Sequence, residues 1–424
     1  NDRILLFALA DTPDAATGFF NPVSVIPQVS TFKHYDPVAF DSTGRLLAVP
    51  ERDGTVRVFV PARTSITGPE TLLPHPDTVL HARFEPNSNF VATACFDGVL
   101  RRWDIETGRV LSELPVHEGP IINMIPSFDR TLWSTRGDDG FRALVDIANQ
   151  QVLFKMQVAD ASQPAGGARG PLLRVGASQS PRTVLTRDKD LWLFAGEPGV
   201  LRAIDVDSGE TIHLLPEHEE LVYRPEFTPD ESRILAHGYR QSLMKVWDAK
   251  SGQLLQELHG PAQILHSAIS PDSRLAAVAY MNGVVNIWDL NDHSSSPDPL
   301  KIIADHRGTV YNVEFNPSGT LLATASGDAH VKIWSTEDWK LVSDLDTHKN
   351  IVLLVRFSPD GQRVLTGSTD TLIHVFDRAG RELLLLPVNG TFATAEWSPD
   401  GRRILATTVE GVVQVWTATG NSIP

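Results

Sequence analysis

Residues 315–334 read FNPSGTLLATASGDAHVKIW, and close variants return at 84–103 (FEPNSNFVATACFDGVLRRW), 357–376 (FSPDGQRVLTGSTDTLIHVF) and 397–416 (WSPDGRRILATTVEGVVQVW). A chain that repeats one short unit must form the same local structure at each copy and bury its faces against its own neighbours. Within 309–346, TVYNVEF is an alternating, β-branched run and NPSG a tight turn. TLLATAS is a second strand, GDAH a second turn, VKIW a third strand and WKLVSDL a looser fourth. Short strands punctuated by Pro, Asp, Gly and Asn read as antiparallel hairpins. No window here keeps helical spacing for more than two turns.

Aligned on the residue before the first turn, the units anchor at Phe40, Phe84, Ser127, Phe227, Ile269, Phe315, Phe357 and Trp397. The interval is 40 to 46 residues, except for 100 between Ser127 and Phe227. That gap has room for a worn unit, whose third strand GVLRAIDVDSG (199–209) matches the others. Nine units result, with third strands closing on Phe59, Trp103, Val145, Ile204, Trp247, Trp288, Trp334, Phe376 and Trp416. The 424 residues and 42% hydrophobic content are ample for such an array.

A period near 42, four strands per unit and the recurring Trp-Asp ending (Trp103-Asp104, Trp247-Asp248, Trp288-Asp289) resemble the WD40-repeat family over residues 23–418. The resemblance implies an all-β fold, a β-propeller of four-stranded antiparallel blades. A single four-stranded sheet this small cannot bury both faces alone, whereas a sheet between two neighbours can. VSVIPQVSTF (23–32) is left over before the first unit, and the last unit stops after three strands. Pairing these ends predicts one closed ring of nine blades, with a seven- or eight-bladed ring plus extra units as the alternative. Residues 1–22 are expected to be a lead-in cut from a longer chain, and 419–424 a tail.

Four units carry a second regularity. His75, His117, His306 and His348 each stand 22 residues before Asp97, Asp139, Asp328 and Asp370. Thr93, Thr135, Thr324 and Thr366 stand four before those aspartates, and Trp103, Val145, Trp334 and Phe376 six after. The resemblance implies buried hydrogen-bond chains of His, Thr, Asp and Trp, complete in units two and seven and stopping at Thr in units three and eight. The same residue types are a hydrolase's vocabulary, but catalysis needs one site, not four identical copies inside the walls. Unit five has Arg240 where the Asp belongs, and unit six has Gly260 where the His belongs.

Other chemistry is thin. There is no G-x-x-x-x-G-K, H-E-x-x-H or G-x-S-x-G, and His117-Glu118 and His218-Glu219-Glu220 lack a second His. No metal or cofactor is expected, and His81 and His266 are placed facing the centre without a matching carboxylate pattern. The single cysteine, Cys95, excludes an internal disulfide and reads as a small buried hydrophobe. The formal net charge of −15 disfavours nucleic acid, and no run of 18 apolar residues marks a membrane span. Arg356, between Glu314 and Glu396 in successive units, is expected to tie blades by an ion pair.

The expected function is a non-catalytic, cytoplasmic scaffold binding protein or peptide, as a docking or sensing module of a larger signalling protein. The candidate binding face comprises Arg52, Phe96, Tyr239, Arg240, Met281, Arg307 and Lys349, residues beside the His and Asp turns. The alternative is a propeller enzyme of hydrolase or lactonase type. ASQPAGGARG (161–170) and NDHSSSPDP (291–299) are expected to bulge from the rim.

Overall fold

The computed structural model describes residues 24–26, 39–50, 54–59, 71–85, 89–127, 131–157, 183–188, 190–197, 200–215, 222–238, 240–409 and 412–418. They form nine four-stranded antiparallel sheets with no helix, the blades of a nine-bladed β-propeller. Within eight blades the strands follow chain order. Blade two, for instance, comprises Val79–Phe84, Phe90–Cys95, Val99–Asp104 and Arg109–Pro115. The ninth is completed from the other end of the chain: Ser24–Ile26 pairs antiparallel with Val413–Val415.

The chain divides into two compact units. The first, residues 1–158 and 384–424, holds blades one to three and nine. Blades nine and one share a core there, with Leu405, Val413 and Val415 against Phe40, Leu47 and Phe59. An Arg403 guanidinium also donates to the Gly44 carbonyl. The second unit, 159–383, holds blades four to seven and the first three strands of blade eight. Its core repeats one scheme, as where Ala323, Val331 and Ile333 of blade seven meet Val352, Val355 and Phe376 of blade eight.

The second strand of each blade explains the repeated spelling. Leu321–Ser326 and Arg363–Ser368 are buried along five of their six residues, because both faces meet a neighbouring sheet. Small residues alternate with branched ones so that two sheets can approach, and each fully buried Val, Leu or Ile contributes about 1.5–3 kcal/mol. In six blades the first turn is fixed by a Ser or Thr whose hydroxyl takes the amide five residues on, as Ser358 does from Arg363 at 2.9 Å, and Asp41 and Asn316 do the same with a side-chain oxygen in blades one and seven. Gly361 adopts φ +67 in that turn, a conformation costly for a side-chain-bearing residue.

Two expectations change, the anchor of unit three and the course of segment 291–299, while the blade expected in the long gap is present. In blade three the first strand is Ile121–Pro126, so Pro126 is the equivalent of Phe84 and Phe357. Ser127 is the following residue, donating its amide to Leu132 as Ser358 does to Arg363. The long gap holds a full fourth blade beginning with Thr183–Leu185. Segment 291–299 does not simply bulge. Its Ser295 carbonyl takes the Glu257 amide at 2.7 Å, and Gln256 Nε2 donates to the Asp292 carbonyl at 2.7 Å, along the fourth strand of blade five. An edge strand's outward amides need acceptors, and this loop supplies one. Segment 161–170 lies outside the described residues, as do residues 1–22 and 419–424.

Neighbouring blades are also stitched through fourth strands, a feature not read from the sequence. Thr71 Oγ1 donates to the Ile105 carbonyl at 2.6 Å and Ser112 Oγ to the Ile147 carbonyl at 3.1 Å. In the second unit, His213 Nε2 meets the Lys250 carbonyl at 2.9 Å, and Gln256 Nε2 the Asp289 carbonyl at 3.2 Å.

Candidate functional site

The His–Asp spacing of 22 arises because the His lies in the loop entering a blade and the Asp in the turn between its second and third strands. In blade seven, His306 Nδ1 lies 3.0 Å from Asp328 Oδ2 and Nε2 lies 2.7 Å from Thr324 Oγ1. Trp334 Nε1 donates to Thr324 Oγ1 at 3.1 Å. Asp328 also takes the Arg307 amide at 2.8 Å and the His330 amide at 3.1 Å. Blade three has His117 Nδ1–Asp139 Oδ1 at 2.9 Å and His117 Nε2–Thr135 Oγ1 at 2.9 Å. Blade eight has His348 Nδ1–Asp370 Oδ2 at 2.9 Å and His348 Nε2–Thr366 Oγ1 at 2.8 Å. Neither Val145 nor Phe376 can donate, so these two chains stop at Thr.

Blade two departs from this pattern. His75 Nε2 meets Thr93 Oγ1 at 2.7 Å and Trp103 Nε1 donates to the same oxygen at 3.0 Å. His75 Nδ1, however, lies 2.8 Å from the Leu73 carbonyl. Asp97 is taken instead by Arg101, at 2.6 and 3.2 Å, and Arg101 is paired on its other side with Glu113 at 2.6 Å. A buried guanidinium needs carboxylate partners, so Asp97 leaves the chain that its spacing predicts.

The electrostatics fit a neutral relay. Burial holds the His117 and His306 imidazoles below the ordinary range despite their aspartates, and it lowers His75 to about 4. Each neutral ring then donates from Nδ1 and accepts the Thr hydroxyl at Nε2, while the Thr oxygen accepts the indole N–H where one is present. Burial alone would push Asp370 up. The His348 ring with the Lys349 and Leu372 amides outweighs it and brings the carboxyl to about 2. The Asp–His–Thr order is that of a hydrolytic triad, but Thr135, Thr324 and Thr366 are fully buried, so no substrate reaches the hydroxyl. What the arrangement does is lock loop, turn and strand together.

Blade six shows what replaces the missing histidine. A Cβ on Gly260 would fall on the Tyr280 ring, which occupies the space where other blades hold the His. Tyr280 is completely buried beside Trp288 and Asn286. In blade nine, Gln414 reaches the entering loop, taking the Asn389 amide at 2.6 Å and donating to the Pro387 carbonyl at 3.3 Å. The two replacements come from different strands, Tyr280 from the end of the second strand and Gln414 from the third, so no single offset from the third-strand Trp marks them.

The residues expected at the binding face are distributed unevenly. Arg52 and Tyr239 lie outside the described residues. Phe96 is half-buried rather than exposed. Arg240 is exposed, at φ +60. Met281 is exposed, and its carbonyl takes the Thr309 hydroxyl at 2.7 Å. Arg307 and Lys349 are exposed at equivalent places in blades seven and eight, fixed by their own amides to Asp328 and Asp370 at 2.8 and 2.9 Å. His81 and His266 are both buried, and His81 Nε2 lies 3.3 Å from the Ile122 carbonyl of the next blade. Among the described residues no group of three His, Cys, Asp or Glu side chains is placed to hold a metal ion. Arg356 Nη1 donates to Glu314 Oε2 at 2.7 Å, and Glu314 Oε1 also takes the Phe357 amide at 3.0 Å.

The family described as WD domain, G-beta repeat matches residues 69–104, 252–289, 297–335 and 339–377. WD repeat-containing protein VIP3 of Arabidopsis thaliana is 28% identical over 185 residues, 39% of this chain and 56% of its own length. Human apoptotic protease-activating factor 1 is 25% identical over 332 residues, 74% of this chain. The Drosophila melanogaster LST8 homolog is 26% identical over 263 residues, 59% of this chain and 76% of its own. The chain thus spans about half of VIP3 and 26% of the apoptotic factor. Among solved structures, the C-terminal WD40 domain of Sif2 superposes with a TM-score of 0.56 at 15% identity, covering 95% of this chain and 99% of that one. This last likeness concerns the fold alone.

Proposed function

We propose that this chain, a member of the WD40-repeat β-propeller family, is a non-catalytic scaffold that binds protein or peptide through residues beside its His and Asp turns. The observation that carries this reading is a division of labour. The side chains with catalytic vocabulary are sealed into the blades, with each Thr hydroxyl inaccessible, while Arg240, Met281, Arg307 and Lys349 present varied chemistry to solvent. Arginine and methionine are residue types that interface centres favour. Repeat walls supply rigidity, and specificity resides in the loops grafted on them.

The finer reading is a docking or sensing module of a larger cytoplasmic signalling protein. Its support is that the match to apoptotic protease-activating factor 1 occupies only a quarter of that protein, so a chain like this occurs as one part of a longer one. The test is affinity capture by the intact chain against two variants, Phe96/Tyr239/Arg240→Ala and Met281/Arg307/Lys349→Ala. We expect at least one variant to lose partner capture with its thermal midpoint unchanged. Normal capture by both removes this face from the proposal, and turnover in a hydrolase substrate panel overturns the non-catalytic reading.

A further inference from the structure

Five Ser-Pro or Thr-Pro dipeptides fall among the described residues, beginning at Thr228, Ser270, Ser296, Ser358 and Ser398. Four do one structural job. The hydroxyl donates to the aspartate two residues on: Thr228 to Asp230 at 2.6 Å, and Ser270, Ser358 and Ser398 to Asp272, Asp360 and Asp400 at 2.5 Å. The same oxygen accepts the amide five residues on, from Arg233, Leu275, Arg363 and Arg403, and all four hydroxyl residues are buried. Ser296 also has an aspartate two residues on, Asp298, but its setting differs. It is exposed, it lies outside regular strands, and its hydroxyl makes no hydrogen bond among the described residues. Pro297 beside it is buried and anchors the segment.

The segment carrying Ser296 is the strap along blade five's fourth strand, Leu254–His259. It is held by the Glu257 amide to Ser295, by Gln256 Nε2 to Asp292, and by Arg233 Nη2 to Asn291 Oδ1 at 2.9 Å. Three carboxylates lie on or under it: Asp292 and Asp298 belong to the strap, and Glu257 to the strand it covers. Three nearby cations are engaged: Lys245 is buried and already 3.3 Å from Glu257, His259 lies 3.8 Å from the same carboxylate, and Arg233 holds Asn291.

We propose that Ser296 is a phosphorylation site for a proline-directed protein kinase, and that the added phosphate loosens the strap from blade five. The hydroxyl oxygen attacks the γ-phosphorus of ATP and forms the new O–P bond as the β,γ-bridging bond breaks. ADP leaves, and the hydroxyl proton passes to the kinase's base. The phosphate adds about two negative charges beside Asp298 and near Glu257, opposing the short contact at Ser295. The released Glu257 amide then faces solvent on an edge strand, where an extended segment can pair.

The intact chain is incubated with a proline-directed kinase and Mg-ATP, mapped by mass spectrometry, and followed by hydrogen exchange over 254–259. We expect phosphate at Ser296, absent in Ser296→Ala, and exchange at the Glu257 amide at least tenfold faster in the phosphorylated chain. An unmodified Ser296 under conditions that phosphorylate a control peptide of the same sequence overturns the site. Phosphate at Ser296 with exchange unchanged or slowed overturns the release.

Discussion

Replacing Asp370 by Asn keeps the side chain's shape and removes its charge. Asp370 takes three bonds: His348 Nδ1 at 2.9 Å, the Lys349 amide at 2.9 Å and the Leu372 amide at 3.0 Å. The carboxylate is only 8% exposed, so water screens it little. Two routes give similar magnitudes. Holding the carboxyl at about 2 rather than 3.8 corresponds to roughly 2 kcal/mol of preference for the charged form in the folded state. Independently, bonds to a charged group contribute about 1.5–3 kcal/mol each, and Asn retains an acceptor but turns an N–H toward one of three donors, a loss of about one such bond. Hydrogen exchange over 364–376 should therefore report opening of blade eight easier by roughly 2 kcal/mol, about thirtyfold faster exchange at neutral pH. The sign of the pH dependence follows from the lowered pKa. The charged group's contribution is present above 3.8 and disappears as pH falls through about 2, so wild type and variant should converge there. Asp97→Asn is the control: His75 is bound to Leu73 rather than to Asp97, so protection of the loop at His75 should change little. A difference below about 0.5 kcal/mol for Asp370→Asn, or one unchanged down to pH 2, refutes the reasoning.

Gly260→Ala should destabilise by about 1–3 kcal/mol in thermal or urea denaturation, because the new methyl meets the fully buried Tyr280 ring; a second change, Tyr280→Ser, should recover part of that loss, and a neutral Gly260→Ala contradicts the packing. Burial lowers both His75 and His374 to about 4, with His348 as a further cause for His374. Each is neutral when folded but protonated below 6.5 when unfolded, so stability should fall as pH drops from 6.5 towards 4. His374→Gln should flatten that slope in denaturation midpoints taken across the range, and an unchanged slope rejects it. Arg356→Ala leaves Glu314 with the Phe357 amide but no cation; we expect a loss of about 1–3 kcal/mol, largely recovered by Glu314→Gln in the same chain, and additive effects of the two changes would refute their coupling.

The fold was legible because one pattern recurs. Nine copies of strand–turn–strand give the same reading at Phe84, Phe315 and Phe357, and the open ends gave the pairing of Ser24–Ile26 with Val413–Val415. The 22-residue spacing similarly located His117–Asp139, His306–Asp328 and His348–Asp370. It failed at Asp97 because a spacing rule cannot register competition: Arg101, four residues on and buried, attracts the carboxylate more strongly than a neutral imidazole does. Unit three's anchor falls one residue off because its turn reads Pro-Ser-Phe (126–128), without the Pro that stands two residues after the anchor at Phe84, Ile269 and Phe357. Phe96 belongs to the expected face yet is half-buried, and sequence alone does not give the exposure of a turn residue. The contacts of Thr71, Ser112, His213 and Gln256 with carbonyls of the next blade were invisible, since backbone acceptors leave no mark in the sequence.

The departures from the repeat point to where selection on structure ends. At three wall positions that lose their usual residue or partner, another wall residue answers: Tyr280 fills the space over Gly260, Gln414 spans the loop that has no histidine, and Arg101 binds the aspartate that His75 does without. Such answers are favoured because a buried polar atom or cavity left uncompensated costs on the order of 1–3 kcal/mol. Arg307, Lys349 and Met281 show no corresponding partner among the described residues. Arg307 and Lys349 vary in kind at one repeated place while their backbone amides make the same bond. Positions held rigid from behind and free to differ in front can alter what a face recognises without altering whether the chain folds. On this architecture, changes of partner should accumulate at those positions, and changes at His306, Asp328 or Gly260 should appear first as loss of stability.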